Sequence, residues 1–184
     1  MHTRQVSCRG YQLDDGCWEI EGRMVDLKTF PMKSPAQDGQ IEVGEPLHDM
    51  TLSLVIDGSM KIRQVCAEIE AAPFKQCASI SGAFRDLEGL CLAPGFLGKA
   101  RELLGGVNGC THLLELLGPI ATTAYQTLWQ GENGYNADDP DVAEMLLDSC
   151  HTLARNGVVA NLLAAELSGL VPPQPYDESL EDSI

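Results

Sequence analysis

Basic residues are scarce in this chain: 12 Lys and Arg stand against 27 Asp and Glu, a formal net charge of −15 at pH 7. Such an acidic chain repels phosphate backbones and anionic lipid headgroups, so neither nucleic acid nor a membrane surface is an expected partner. Aromatic residues make up only 5% of the 184, and an aromatic-anchored interface is not obvious. No apolar run reaches the ~20 residues needed to span a bilayer. The opening Met1-His2-Thr3-Arg4-Gln5-Val6-Ser7-Cys8 has no apolar stretch of the secretory kind. A cytoplasmic protein is therefore expected. Internal repeats and low-complexity linkers are missing. The glycines at 95–98 and 105–109 do not follow the strand–turn–helix pattern of phosphate-binding loops. There is no Cys-x-x-Cys pair, which removes the zinc-ribbon and thioredoxin signatures.

Hydrophobic residues, at 44%, are enough for a folded core in a chain of this length. One domain over residues 1–172 is expected, followed by an acidic, frayed tail over 173–184. Seven cysteines (Cys8, Cys17, Cys66, Cys77, Cys91, Cys110 and Cys150) are many for this length, and their number is odd. In a reducing compartment they read as thiols, some packed and some available to a metal.

The first part of the chain has the period of strands. Gln5 to Leu13 runs into the turn Asp14-Asp15-Gly16, and Cys17 to Phe30 then alternates, with Trp18, Ile20 and Met24 on one face and Glu19, Glu21 and Arg23 on the other. Residues 31–44 read as a loop. His48, Met50, Leu52, Leu54 and Ile56 share a parity, Asp57-Gly58 turns, and Met60 to Ile69 returns. His48 is thus in register with an apolar face. After Pro73 the period becomes helical. A short amphipathic piece begins near Cys77, a second helix spans about 95–104, and a long one starts near Asn108 as N-cap. Pro119 is expected to bend that helix, and Thr122 and Thr123 to bond preceding carbonyls beside it. A last helix is expected from Asp138-Asp139-Pro140 past Cys150 and His151. Strands first and helices after indicate an α+β fold, with N-terminal antiparallel strands packed by C-terminal helices.

The most informative stretch is Gly109-Cys110-Thr111-His112-Leu113-Leu114-Glu115. A thiol and an imidazole at a helix start sit where the backbone dipole favours a thiolate and a neutral ring. Those are the forms that bind metal or act as nucleophile and base. On an ideal helix Cys110 and His112 diverge, so both can serve one ion only if residues 109–111 form a capping turn. Cys77 stands at another helix start. Asp49 has the wrong parity for direct ligation unless the strand begins after it, which leaves it a bond to a histidine from behind, and Glu115, one turn after His112, is placed to orient it or act as a base. Cys150-His151 reads as structural, and Cys8, Cys17, Cys66 and Cys91 as packing residues.

The strings Gly10-Tyr11, Asp14-Asp15-Gly16-Cys17-Trp18-Glu19-Ile20-Glu21-Gly22 and Asp26-Leu27-Lys28 resemble the opening of a bacterial domain family of unknown function. His48-Asp49-Met50, Gly109-Cys110-Thr111-His112-Leu113 and Ala121-Thr122-Thr123-Ala124-Tyr125-Gln126-Thr127 carry the likeness along nearly the whole chain. A second resemblance, over residues 44–130, is to the iron–sulfur cluster scaffold family, which holds its cluster on three cysteines. It implies a scaffold-like core with His48, Cys77 and Cys110 in the ligand slots. The first slot holds His48 where that family has cysteine, and His112 follows the third cysteine instead of preceding it.

The resulting expectation is a small metalloprotein holding zinc, iron or an iron–sulfur unit through His48, Cys77, Cys110 and His112, with Asp49 and Glu115 behind them. Two alternatives remain open. One is an enzyme on the same site, either metal-assisted with Glu115 or Asp49 as base, or using Cys110 as nucleophile. The other is an accessory homo-oligomer, paired through strand edges, that needs no metal.

Overall fold

In a computed structural model, the structure describes residues 1–34, 39–129 and 147–161. The chain divides into two compact units, Met1–Leu128 and Trp129–Ile184. The fold is α+β, as the order of elements indicates.

In the first unit, β1 (His2–Gln12), β2 (Trp18–Lys28), β5 (Pro46–Ile56) and β6 (Ile62–Ala71) form one antiparallel sheet in the order β1-β2-β5-β6. The Asp14-Asp15-Gly16 turn joins the first pair. Gly16 has φ +81°, a region glycine enters without Cβ strain, and the Asp15 carboxylate accepts the Cys17 N–H at 3.0 Å. The alternation read from β2 and β5 is what the sheet buries: Trp18, Ile20, Met24, Met50, Leu52, Leu54 and Ile56 are all within the core.

Residues 31–44 are not simply a loop. They contain a small two-stranded ribbon, β3 (Met32–Ser34) paired with β4 (Gly39–Ile41). Strands this short carry no period, which is why composition alone hides them.

The helices cover one face of the sheet. Lys75–Leu87 is 3-10 rather than α, burying Phe84 and Leu87. Its serines and glycine are weak helix formers, and Ser79 Oγ donates to the Gln76 carbonyl at 2.8 Å. Helix α1 (Phe96–Leu104) follows, and then α2 (Thr111–Leu128), whose buried stripe is Leu113, Leu116, Leu117, Ile120, Ala124 and Leu128. Thr122 Oγ1 donates to the carbonyls of Gly118 and Pro119, at 3.3 and 3.0 Å, beside Pro119, which has no N–H to give the Glu115 carbonyl. Two glycines let α2 lie close to the sheet. A Cβ on Gly22 would come 2.7 Å from Ile120 Cγ1, and one on Gly10 would come 1.9 Å from Thr127 Oγ1. These contacts run α2 antiparallel to β2, so the start of the helix lies over the Asp26 end of the strand.

The long helix does not begin at Asn108. Residues Gly106–Asn108 make a separate 3-10 turn, Gly109 is extended, and the first helical hydrogen bond is Leu114 N–H to the Cys110 carbonyl at 2.9 Å. Cys110 is therefore the capping residue.

In the second unit, the expected helix start at 138–140 and the tail over 173–184 lie outside the described residues. The described part does not run helically through Cys150 and His151. Residues 147–157 form turns and bends, and residues 158–161 are helical. Asp148 has φ +61°, and its carboxylate accepts the Arg155 N–H at 2.9 Å, closing the loop on itself. Among the described residues, no helix is long and apolar enough to cross a membrane.

Candidate metal centre

The site forms where the ends of β1, β2 and β5 meet the start of α2. Strand register sets Arg4 opposite Asp26 and Asp26 opposite His48, a row across three strands. Cross-strand partners share a face, so the row continues the buried side that carries Ile20 and Met24.

Asp26 is completely buried. Its carboxylate accepts from Arg4 Nε at 2.8 Å on one oxygen and from Arg4 Nη2 at 2.7 Å on the other. His48 Nδ1 lies 2.9 Å from the second oxygen, and His2 Nε2 lies 3.3 Å from the first. Burial pushes this carboxyl group up, but hydrogen bonds and charge from Arg4 and His48 outweigh it and hold the pKa at about 2. An ionised Asp26 has no proton to donate, so His48 Nδ1 carries the hydrogen. The neutral ring then has its lone pair on Nε2.

Helix α2 supplies the other half. Cys110 occupies the position usually taken by a serine or aspartate cap, and its sulfur receives the backbone N–H groups of His112 and Leu113. Cys110 Sγ lies 3.9 Å from His112 Nδ1. Burial raises the thiol pKa, yet the His112 ring and the two N–H groups together bring it below the ordinary value. The imidazoles of His112 and His48 stack, with centroids 3.9 Å apart and planes tilted by 34°. The capping turn at 109–110 thus joins two side chains that regular helical geometry would separate.

Asp26, His48 and His112 each offer one donor atom, all within 4.8 Å of one another, and form a group able to hold a metal ion. Of the residues expected from sequence, His48 and His112 meet here, Cys110 is beside His112, and Cys77 lines the same cavity of about 630 Å³ as these three. Neither Cys77 nor Cys110 belongs to such a donor group among the described residues.

Asp49 and Glu115 go elsewhere. Asp49 is held by Arg23 at 2.8 and 2.6 Å on the opposite face of the sheet, and Glu115 pairs with Arg4. Their parity and spacing specified a face or a turn, but an arginine across each gap is the stronger partner. Cys66, Cys91 and Cys150 are exposed rather than packed.

Asp26, the residue missing from the sequence reading, left a signal. It shares the parity of Trp18, Ile20 and Met24, and an acid in register with a buried strand face needs a partner.

Residues 2–126 match a family described as "Protein of unknown function (DUF2889)". The chain belongs to this family. The DUF2889 match covers the sheet and nearly all of α2, and with them every residue of the site from His2 to His112. The resemblance to a domain family of unknown function is borne out. No curated protein and no solved structure matches the chain, and the likeness to iron–sulfur scaffolds gains no support there.

Proposed function

We propose that this protein binds a single transition-metal ion, zinc or iron(II), through His48, His112 and Cys110, with Asp26 behind His48. The supporting observation is the fully buried, ionised Asp26 on His48 Nδ1. A carboxylate behind a histidine fixes its tautomer and raises the basicity of the other nitrogen, as it does for metal-bound histidines generally. Asp26 itself is a poor direct ligand, because Arg4, His48 and His2 already occupy its oxygens.

The spacing of Cys110 and His112 suits two ligands of one ion. Ligand bonds of about 2.3 Å to sulfur and 2.1 Å to nitrogen, at a tetrahedral angle, place S and N about 3.6 Å apart. Cys110 Sγ and His112 Nδ1, at 3.9 Å, need to close by only a few tenths of an ångström. Three protein ligands would leave one position free, and the cavity that His48, Cys110 and His112 line also carries Cys77 on its wall. A metal held so supplies Lewis acidity at that position.

Metal analysis of the purified full-length chain tests this. One equivalent of zinc or iron is expected, with most of it lost in His48→Ala and in Cys110→Ser. A protein that takes up no stoichiometric metal, or variants that hold it as well as the parent, would overturn the reading.

A second reading rests on the order Cys110, His112, His48, Asp26: a thiol nucleophile beside stacked imidazoles with a carboxylate behind. Under it, the Cys110 thiolate of the metal-free protein takes the acyl group of an activated ester as a thioester, breaking the ester C–O bond and releasing the alcohol, and added zinc is of no benefit.

A further inference from the structure

The two edges of the four-stranded sheet differ. On β6 the outer edge is occupied. Ile62 donates its N–H to the Leu90 carbonyl and accepts from the Gly89 N–H, both at 2.8 Å, and the Val65 N–H is taken by the Glu88 carboxylate at 3.1 Å. Its ladder with β5 also shifts register, at Asp49/Met50 and at Val55/Ile56. Strand β1 has no such protection. It pairs with β2 from His2 to Gln12 without a shift, and it contains neither proline nor lysine. A long, regular, bare edge of this kind is a template for another strand.

The direction of its hydrogen bonds is fixed at both ends. The Leu13 N–H bonds the Cys17 carbonyl and the Thr29 N–H bonds the Met1 carbonyl, so in an unshifted antiparallel ladder the odd residues of β1 bond β2. The backbone groups of His2, Arg4, Val6, Cys8 and Gly10 therefore point outward. Among the described residues none of these groups has a partner.

This spacing is complementary to itself. Placed antiparallel to a copy about Val6, His2 meets the partner's Gly10, Arg4 meets the partner's Cys8, and Val6 meets the partner's Val6. Each of the five then exchanges two hydrogen bonds with another of the five. The strand carries Arg4 and Arg9 and no acid. In this register Arg9 faces the partner's Thr3 and Gln5 faces the partner's Ser7, so no like charges stand opposite. Val6 is 43% exposed, and at the axis it packs on its own copy. The spacing, the charges and the exposed valine are matched by β1 itself, which selects a second copy over an unrelated strand.

We propose that β1 pairs antiparallel with β1 of a second copy about Val6, making one continuous sheet from two four-stranded ones. The proposal is independent of metal binding.

Light scattering during size exclusion of the full chain, across a dilution series, tests it. A mass of two chains is expected. Val6→Pro removes an outward N–H from each copy and leaves every bond of β1 to β2 in place, whereas Val6→Lys keeps the N–H and sets like charges at the axis. Each should raise the dissociation constant about tenfold or more. Gln64→Lys adds the same charge at an exposed position of β6 and should leave the dimer as tight as in the parent. Far-UV circular dichroism shows which variants fold, and Val6→Lys decides if Val6→Pro does not.

A single-chain mass at every concentration overturns the proposal, and that is the behaviour expected if a foreign strand is the true occupant. A dimer that survives the Val6 substitutions unweakened overturns it too, as does one that Gln64→Lys weakens equally.

Discussion

Replacing Asp26 with asparagine keeps the shape of a fully buried side chain and removes its charge. The carboxylate accepts from Arg4 through both oxygens and from His48 through one. An amide has one acceptor oxygen and turns a donor toward donors, leaving at least one buried N–H unpaired, at about 1–3 kcal/mol. A carboxyl pKa held at about 2 instead of 3.8 corresponds to about 2 kcal/mol of folding free energy at neutral pH. These effects overlap, and Arg4 keeps Glu115 as a partner and is 32% exposed. The expected cost of Asp26→Asn is therefore about 3 kcal/mol, at the low end of the ~3–5 for removing one member of a buried pair. In urea unfolding the midpoint should fall with the slope unchanged, and the melting temperature should drop by roughly 6–12 °C.

The pH dependence has a definite sign. The folded carboxyl group binds its proton more weakly than the unfolded one, so the stabilisation is complete above about pH 4 and declines as pH falls toward 2. The gap between parent and Asp26→Asn should narrow over that interval. Equal stabilities at pH 7, or a gap that does not narrow on acidification, would refute the electrostatic account of Asp26.

Three further outcomes follow from other parts of the structure. Gly10→Ala puts a Cβ 1.9 Å from Thr127 Oγ1, which is itself bonded to the Thr123 carbonyl at 2.8 Å. A loss of about 1–3 kcal/mol is expected in urea unfolding, and only part of it should return in the double variant with Thr127→Ala, whose Cβ still lies 2.7 Å from the added one. Asp57 is held at about 2 despite burial, by Ser59, the Lys61 N–H and Arg63 in the turn between β5 and β6. Asp57→Asn should cost on the order of 1–2 kcal/mol at pH 7, a difference that fades from pH 4 downward. Iodoacetamide labelling of metal-free protein, mapped by mass spectrometry, should give Cys110 a midpoint below that of an ordinary thiol. His112→Ala should move that midpoint upward.

How much of this was legible in the sequence depends on whether the signal is local. The strand faces were legible, because burial imposes a period of two on β2 and β5, and His48 could be placed inward from parity alone. The pairing of His48 with Asp26 was not, because it depends on register between strands 22 residues apart. Cys110 and His112 were recognisable as a helix start, but their convergence rests on Gly109 being extended and on sulfur acting as the cap. Asp49 and Glu115 were placed behind the histidines by adjacency and helical spacing alone. Their partners, Arg23 and Arg4, lie on other strands, where no local pattern announces them.

X-ray absorption at the edge of the bound metal, zinc or iron, tests the central claim most directly. The account predicts at least one sulfur at about 2.3 Å and two imidazole nitrogens at about 2.0–2.1 Å, with the sulfur shell lost in Cys110→Ser. A shell of oxygens without sulfur, or one unchanged by that substitution, would contradict it.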